Sequence, residues 1–230
     1  MTALRWRLSR YSKNPVVRPR QCLVPTLLGW VLGTLGVVAL ALAGICAICP
    51  FLAVSDPIPG GVLVVEGWTP DYVMQAAVTE FKQGHYAKLF VTGTPVAQGT
   101  LLTGYTNHAY VGTATLLKLG LTTNEVQAVP TDQIQRDRTY NMALSLKKWL
   151  REHDVSPTKV NLITAGPHSR RSRLLFERAL GNGVTVGTLA IPENDFDERH
   201  WWRSSQGVRT VIGEALAYGY ARLLFHPPAE

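Results

Sequence analysis

From Gln21 to Ser55 the chain carries no Asp, Glu, Lys, Arg or His, and Leu27 to Ile48 reads LLGWVLGTLGVVALALAGICAI. A helix rising ~1.5 Å per residue over that stretch crosses the ~30 Å hydrocarbon core of a bilayer, and this one has no polar face to offer water. The pattern predicts a transmembrane helix. Ala41-Leu42-Ala43 resembles a small-residue cleavage site, but the apolar stretch exceeds the ~7–15 residues of a signal-peptide core, so a retained anchor is expected. Ser55-Asp56-Pro57-Ile58-Pro59-Gly60 then reads as a short stiff linker.

Past the linker, short apolar runs alternate with helical spacing. Gly61 to Glu66 is a continuous apolar run of the kind buried on both faces of a sheet. Thr69 as cap, Pro70 at the first helical position, and Val73, Ala76, Ala77 and Phe81 predict a helix closed by Gly84. Further strands are expected at 88–93, 126–129, 160–164 and 184–191. Helices are expected near 108–119, 139–151 and 207–225 and through Leu174 to Leu180. Arg209, Glu214 and Arg222 argue against a second membrane span in the last of these. Strand–helix alternation implies right-handed crossovers, hence a Rossmann-like three-layer α/β sandwich with a mainly parallel sheet of about five strands. The expected organisation is a basic tail (1–22), a membrane anchor (23–54), a linker (55–60) and an α/β domain (61–230).

Charge changes this picture less than the total suggests. The chain holds 23 Lys and Arg against 16 Asp and Glu, a formal +7, a balance that invites a nucleic-acid reading. Arg5, Arg7, Arg10, Lys13, Arg18 and Arg20 all precede the first acidic residue. Beyond Arg20 the chain is nearly neutral, and nucleic-acid binding is not expected. Six cations before the helix, with none after it until Lys82, place the N-terminus in the cytoplasm by the positive-inside rule and the domain on the extracytoplasmic side. The tail would meet anionic lipid at ~1 kcal/mol per charge near the surface. Cys22, Cys46 and Cys49 all lie in or beside the apolar stretch, so packing is expected of them, and no disulfide or thiolate metal site in the domain. Gly29-x-x-x-Gly33 is a weak helix-dimer motif.

Open parallel sheets bind ligands outside the carboxyl ends of their strands. Neither G-x-G-x-x-G after the first strand nor G-x-x-x-x-G-K-[ST] occurs, and the sequence names no cofactor. The sharpest signal is Gly166-Pro167-His168-Ser169-Arg170-Arg171-Ser172-Arg173 at a strand-to-helix junction. Cations there oppose the positive end of the helix dipole by ~0.3–1 kcal/mol each unless an anion joins them. His168 and Arg171 are expected to face the crevice, Arg170 and Arg173 to point outward or to pair with Glu177. Arg138 and Thr139 enter another helix and are either a second cationic arm or an ordinary cap with Asp137. Glu66 ends a buried strand, so it is expected to meet an arginine or a ligand hydroxyl. Gly67, Thr92 and Gly93 end the first two strands and are further ligand-contact candidates. Trp201-Trp202-Arg203 would stack a sugar, rest on lipid headgroups or pack a loop.

These motifs together resemble the DUF218 domain family, the YdcF-, SanA- and ElyC-like proteins, over roughly Val62 to Leu224. The resemblance rests on Val62 to Gly67, Ala76-Ala77 through Gly84 to Gly93, Thr139-Tyr140-Asn141-Met142-Ala143, Thr164-Ala165-Gly166-Pro167-His168-Ser169-Arg170-Arg171 and the final helix with Glu214. Glu66-Gly67-Trp68 stands where the family usually has a glycine cluster, and Met142 where it usually has asparagine. The resemblance implies a Rossmann-like domain anchored in the bacterial inner membrane with a role in envelope biogenesis, without a settled reaction. The expected partners are membrane lipid through residues 23–54 and an anionic envelope precursor such as a polyprenyl phosphate. In an enzyme His168 would be the general acid or base, Glu66 would orient a hydroxyl, and Arg171 with Arg138 would steady negative charge. The alternatives are a non-catalytic envelope scaffold and a small-molecule binder, S-adenosylmethionine included.

Overall fold

A computed structural model describes residues 25–97, 104–132 and 136–227; the basic tail expected over 1–22 lies outside the described residues. The chain divides into two compact units, residues 1–43 and 44–230. Helix α1 (Leu27–Leu52) is long and apolar enough to cross a membrane, with a mean hydropathy of 2.5. In the first unit its residues are exposed throughout, Gly29 and Gly33 included. The residues of α1 that belong to the second unit behave differently. Cys49 and Leu52 are buried against Phe196, Trp201 and Val211, and the Trp201 indole donates to the Ile45 carbonyl at 3.1 Å.

The second unit is an α/β fold on a five-stranded, all-parallel sheet. Its elements are β1 (Val62–Glu66), α2 (Asp71–Gln83), β2 (Leu89–Gly93), α3 (His108–Lys118), β3 (Val126–Pro130), α4 (Arg138–Glu152), β4 (Lys159–Ala165), α5 (Ser169–Leu180), β5 (Thr185–Ile191) and α6 (Ser205–Leu223). Gly166–His168 forms a 3-10 turn before α5, and Glu198–Arg203 a 3-10 segment before α6. The strand order is β3-β2-β1-β4-β5. β1 is central because every one of its residues, Glu66 included, is buried, as a strand covered on both faces requires. Val64, Phe90 and Leu162 pack against Leu146 of α4 and Phe176 of α5. Leu63, Val65, Val91 and Ile163 face Val73 and Ala77 of α2 and Leu116 of α3. α6 lies beside α5.

Local chemistry shifts several expected boundaries. α2 begins at Asp71 with Pro70 at the N-cap, and the Thr69 hydroxyl donates back to the Glu66 carbonyl at 2.8 Å rather than capping the helix. Asp137 is the N-cap residue of α4, but at φ 54° its side chain makes no capping hydrogen bond, so of the two alternatives there an ordinary cap by Asp137 is not formed. The expected linker 55–60 is sewn onto the sheet. Asp56 forms an antiparallel bridge to Thr188, and Asn161, fully buried, bonds Ile58 at both its amide (2.8 Å) and its carbonyl (2.7 Å). The hydroxyl of Ser169, first residue of α5, donates to the Val54 carbonyl at 2.8 Å.

The chain turns back across the sheet between β3 and β4, so the two halves of the sheet run away from each other on either side of the β1–β4 pair. In open α/β sheets such a switch point leaves a crevice beyond the strand ends. Glu66 at the end of β1 and Thr164 near the end of β4 border it.

Candidate functional site

The crevice is built around a carboxylate with no access to water. Glu66 is fully buried; it accepts from the Thr164 hydroxyl at 2.6 Å and from the Ser172 hydroxyl at 3.3 and 3.4 Å. The expected partner of Glu66 was an arginine or a ligand hydroxyl, and the hydroxyls are the protein's own. His168, brought in by the 3-10 turn after β4, presents Nε2 at 3.3 Å from Glu66, near enough for an ion pair but off the line of a hydrogen bond. Its Nδ1 lies 2.9 Å from Glu214 of α6. Glu214 also takes Arg171 bidentately, with Nε at 2.8 Å and Nη2 at 3.0 Å. Three distant segments are thereby tied through two carboxylates and two cations.

The charge states follow from these contacts. Burial alone would push the Glu66 carboxyl up, but the His168 imidazolium, the Thr164 hydroxyl and Arg171 outweigh it and hold the group below the usual carboxylate range. Burial would likewise lower His168, yet Glu66 and Glu214 on either side push it up to about 9. Against its own burial, Glu214 is drawn down to about 2 by His168 and Arg171. With Nδ1 protonated toward Glu214, the approach of Arg171 Nη2 to Nδ1 at 2.9 Å is a contact between two cations, tolerable because Glu214 bridges them. The cluster sums to zero charge.

A cleft of about 480 Å³ opens beside this cluster, walled by Trp68, Thr94, His108, Arg138, Thr139 and Tyr220 among others, with His168, Arg171 and Glu214 in its lining. The Trp68 ring stands edge-on to His168, with centroids 4.9 Å apart. Trp68 and His168 also border a second cleft of about 310 Å³ on the side of Glu193, Asp195 and Arg209. There Glu193 accepts from the Tyr72 hydroxyl at 3.0 Å, and burial raises its carboxyl, with Asp195 and Glu198 adding to the effect.

The first turn of α4 faces the larger cleft without a side-chain cap and without an acidic residue. The first backbone N–H groups of any helix lack intrahelical partners. Arg138, Thr139 and Arg171 line the cleft there, with Arg171 Nη1 3.5 Å from the Thr139 hydroxyl, and the N-cap residue Asp137 lies in the same wall. Arg138 is exposed and makes no ion pair among the described residues. A helix start and an unpaired cation so placed are chemically suited to an anion, through the helix dipole and charge-assisted hydrogen bonds.

Of the residues expected to form the site, Glu66, His168, Arg171, Arg138 and Thr139 do converge. Gly67, Thr92 and Gly93 do not reach the cleft and are reassigned. A Cβ on Gly67 would lie 2.3 Å from the His108 carbonyl, and one on Gly93 2.1 Å from the Ala109 nitrogen, so backbone rather than ligand covers both. Thr92 is fully buried. The two glycines let α3 settle onto the strand ends. Arg173 pairs with Glu177 at 2.9 Å, as expected, and with Asp56 at 2.8 Å. Arg170 lies over the Phe51 ring, 4.0 Å from its centroid. Trp201 is buried, whereas Trp202 remains exposed. Trp68 and Thr164 fall at the strand ends where ligands are expected, whereas the sequence assigns no site role to Glu214, His108 or Ser172. A lone carboxylate on the apolar stripe of the last helix was the available signal for Glu214.

No family model matches this chain, and no curated protein matches it. Among solved structures it is similar to a mutant form of enoyl thioester reductase from Candida tropicalis, at 12% identity over 80% of this chain and 51% of the reductase, with a TM-score of 0.29. The chain thus spans about half the length of that protein, and a likeness of this size says nothing of substrate or cofactor.

Proposed function

We propose that this is a single-pass inner-membrane protein of the DUF218 kind, its N-terminus cytoplasmic, whose extracytoplasmic α/β domain binds an anionic, phosphorylated precursor of the bacterial envelope. The observation that carries the anion reading is the uncapped start of α4, opening with Arg138 and Thr139 onto the 480 Å³ cleft beside Arg171. His168 and Arg171 are already balanced by Glu66 and Glu214, so the attraction for a ligand comes from Arg138 and the helix end. A polyprenyl phosphate fits a protein held at a membrane by α1, which has the length and composition of a membrane span.

The test is calorimetry or thermal shift on the full chain in detergent micelles with inorganic phosphate, pyrophosphate and a polyprenyl phosphate. A bound anion stabilises the folded state by mass action. Arg138→Gln removes one charge-assisted contact worth ~1.5–3 kcal/mol, so affinity should fall about tenfold or more. Equal affinity in the variant, or no response to any of the three anions, would count against the reading. A second reading, a non-catalytic scaffold, is favoured by one specific feature: each ring nitrogen of His168 faces a carboxylate.

A further inference from the structure

We propose that His108, rather than His168, is the residue that takes a proton from a hydroxyl or water bound in the larger cleft. The proposal rests on the anion reading and adds to it the group that would do acid–base work on the bound ligand.

The two histidines of the cleft are placed in opposite ways. His168 is buried and its two nitrogens face Glu66 and Glu214 at 3.3 and 2.9 Å. An imidazolium so enclosed has no lone pair to offer and no path to a ligand that avoids breaking the cluster. His108 is the first residue of α3, held there by its backbone N–H to the Thr94 carbonyl at 2.9 Å and by Asn107, whose side chain caps Ala109. The packing of Gly67 and Gly93 against its backbone fixes that position. Its side chain is half-buried in the cleft wall, and its ring makes no hydrogen bond among the described residues.

The charged groups around the same cleft favour a neutral ring at His108. Arg138 and Asp137 come from α4, His168 and Arg171 from α5 and the turn before it, and Glu214 from α6; Trp68 and Thr94 are uncharged. Glu214 is committed to Arg171 and His168. Burial first, and then the charge of Arg138, hold His108 below the ordinary imidazole range, and the positive end of α3 works the same way. At neutral pH the ring therefore keeps a lone pair while the Arg138 guanidinium beside it stays charged, which is the state a general base needs.

In the step itself the O–H bond of the ligand hydroxyl or water breaks and an N–H bond forms on His108. The electron pair stays on oxygen, and Arg138 and Arg171 flank the negative charge. The proton is afterwards returned to a departing oxygen or to solvent, so no oxidant or reductant takes part.

Diethylpyrocarbonate, which acylates neutral imidazole, separates the two histidines. The full chain in detergent micelles would be treated at pH 7 with and without inorganic phosphate, and modified peptides quantified by mass spectrometry, with phosphate binding measured in parallel by thermal shift. At a pKa of about 9 only about 1% of His168 is neutral at pH 7, so His108 should react at least about tenfold faster. Phosphate should slow His108 several-fold while leaving His85 and His226 unchanged. If phosphate binds but does not protect His108, or if His168 reacts as fast as His108, the proposal fails and the anion reading survives. If phosphate neither binds nor protects, both fail.

Discussion

Glu214→Gln keeps the shape of the side chain that joins α6 to the crevice and removes only its charge. The effect can be scaled from either partner. Raising His168 from 6.5 to about 9 corresponds to about 3 kcal/mol, at roughly 1.4 kcal/mol per pH unit. Lowering Glu214 from 4.5 to about 2 corresponds to about the same. The two shifts share the His168–Glu214 attraction, while Glu66 leads the shift at His168 and Arg171 adds to that at Glu214, so they are not added. Losing one member of a buried ion cluster typically costs ~3–5 kcal/mol because the other charges remain buried and unpaired. A loss of about 3 kcal/mol near pH 6 is expected, read by urea unfolding in micelles with Trp68 fluorescence as a reporter beside His168.

The pH dependence sharpens the test. His168 has its folded pKa above 6.5, so its contribution is complete below pH 6.5 and is lost as pH rises toward about 9. Glu214 has its folded pKa below 4.5, so its contribution is complete above pH 4.5 and is lost as pH falls toward about 2. Wild type should therefore exceed the variant most between about pH 4.5 and 6.5, and the gap should narrow by pH 9. A deficit below about 1 kcal/mol at pH 6, or one that stays constant from pH 6 to 9, would refute the reading of these four residues as a coupled charge cluster.

Gly93→Ala places a Cβ 2.1 Å from the Ala109 nitrogen, and since backbone cannot yield as a side chain can, a loss of ~1–3 kcal/mol is expected by chemical denaturation. Because α3 must lift, phosphate affinity should fall with it; a fully stable variant with unaltered affinity would contradict the packing role. For topology, protease added to intact spheroplasts should digest the α/β domain, and resistance there combined with digestion after lysis would reverse the proposed orientation.

Much of the fold was legible because a parallel sheet covered on both faces turns its strands into continuous apolar runs, as in Val62 to Glu66 and Leu162 to Ala165. The helices showed through their spacing, Val73, Ala77 and Phe81 being the buried face of α2. Chemistry near the switch point was legible in part, because His168 and Arg171 follow a strand directly. Glu214 was not, since it lies 43 residues beyond Arg171 and meets it only after α6 packs beside α5. Gly67 and Gly93 were misleading for a physical reason: a glycine at a strand end lets either a ligand or another backbone approach, and only the position of α3 decides between them. Residues 55–60 carry the Pro and Gly of a linker, which obscure the Asp56–Thr188 bridge and the Asn161 bonds to Ile58 that bind them to the sheet.

The bond from Ser169 to the Val54 carbonyl also defines how the domain would carry load. Tension arriving along α1 meets the Trp201 indole at Ile45, then Arg170 and Ser169, immediately after His168, at Phe51 and Leu52, and the Asp56–Thr188 bridge only afterwards. The segment that shapes the crevice is thus also a mechanical brace of the domain, and slack or strain in the preceding helix would be felt at the start of α5 before it reached the sheet.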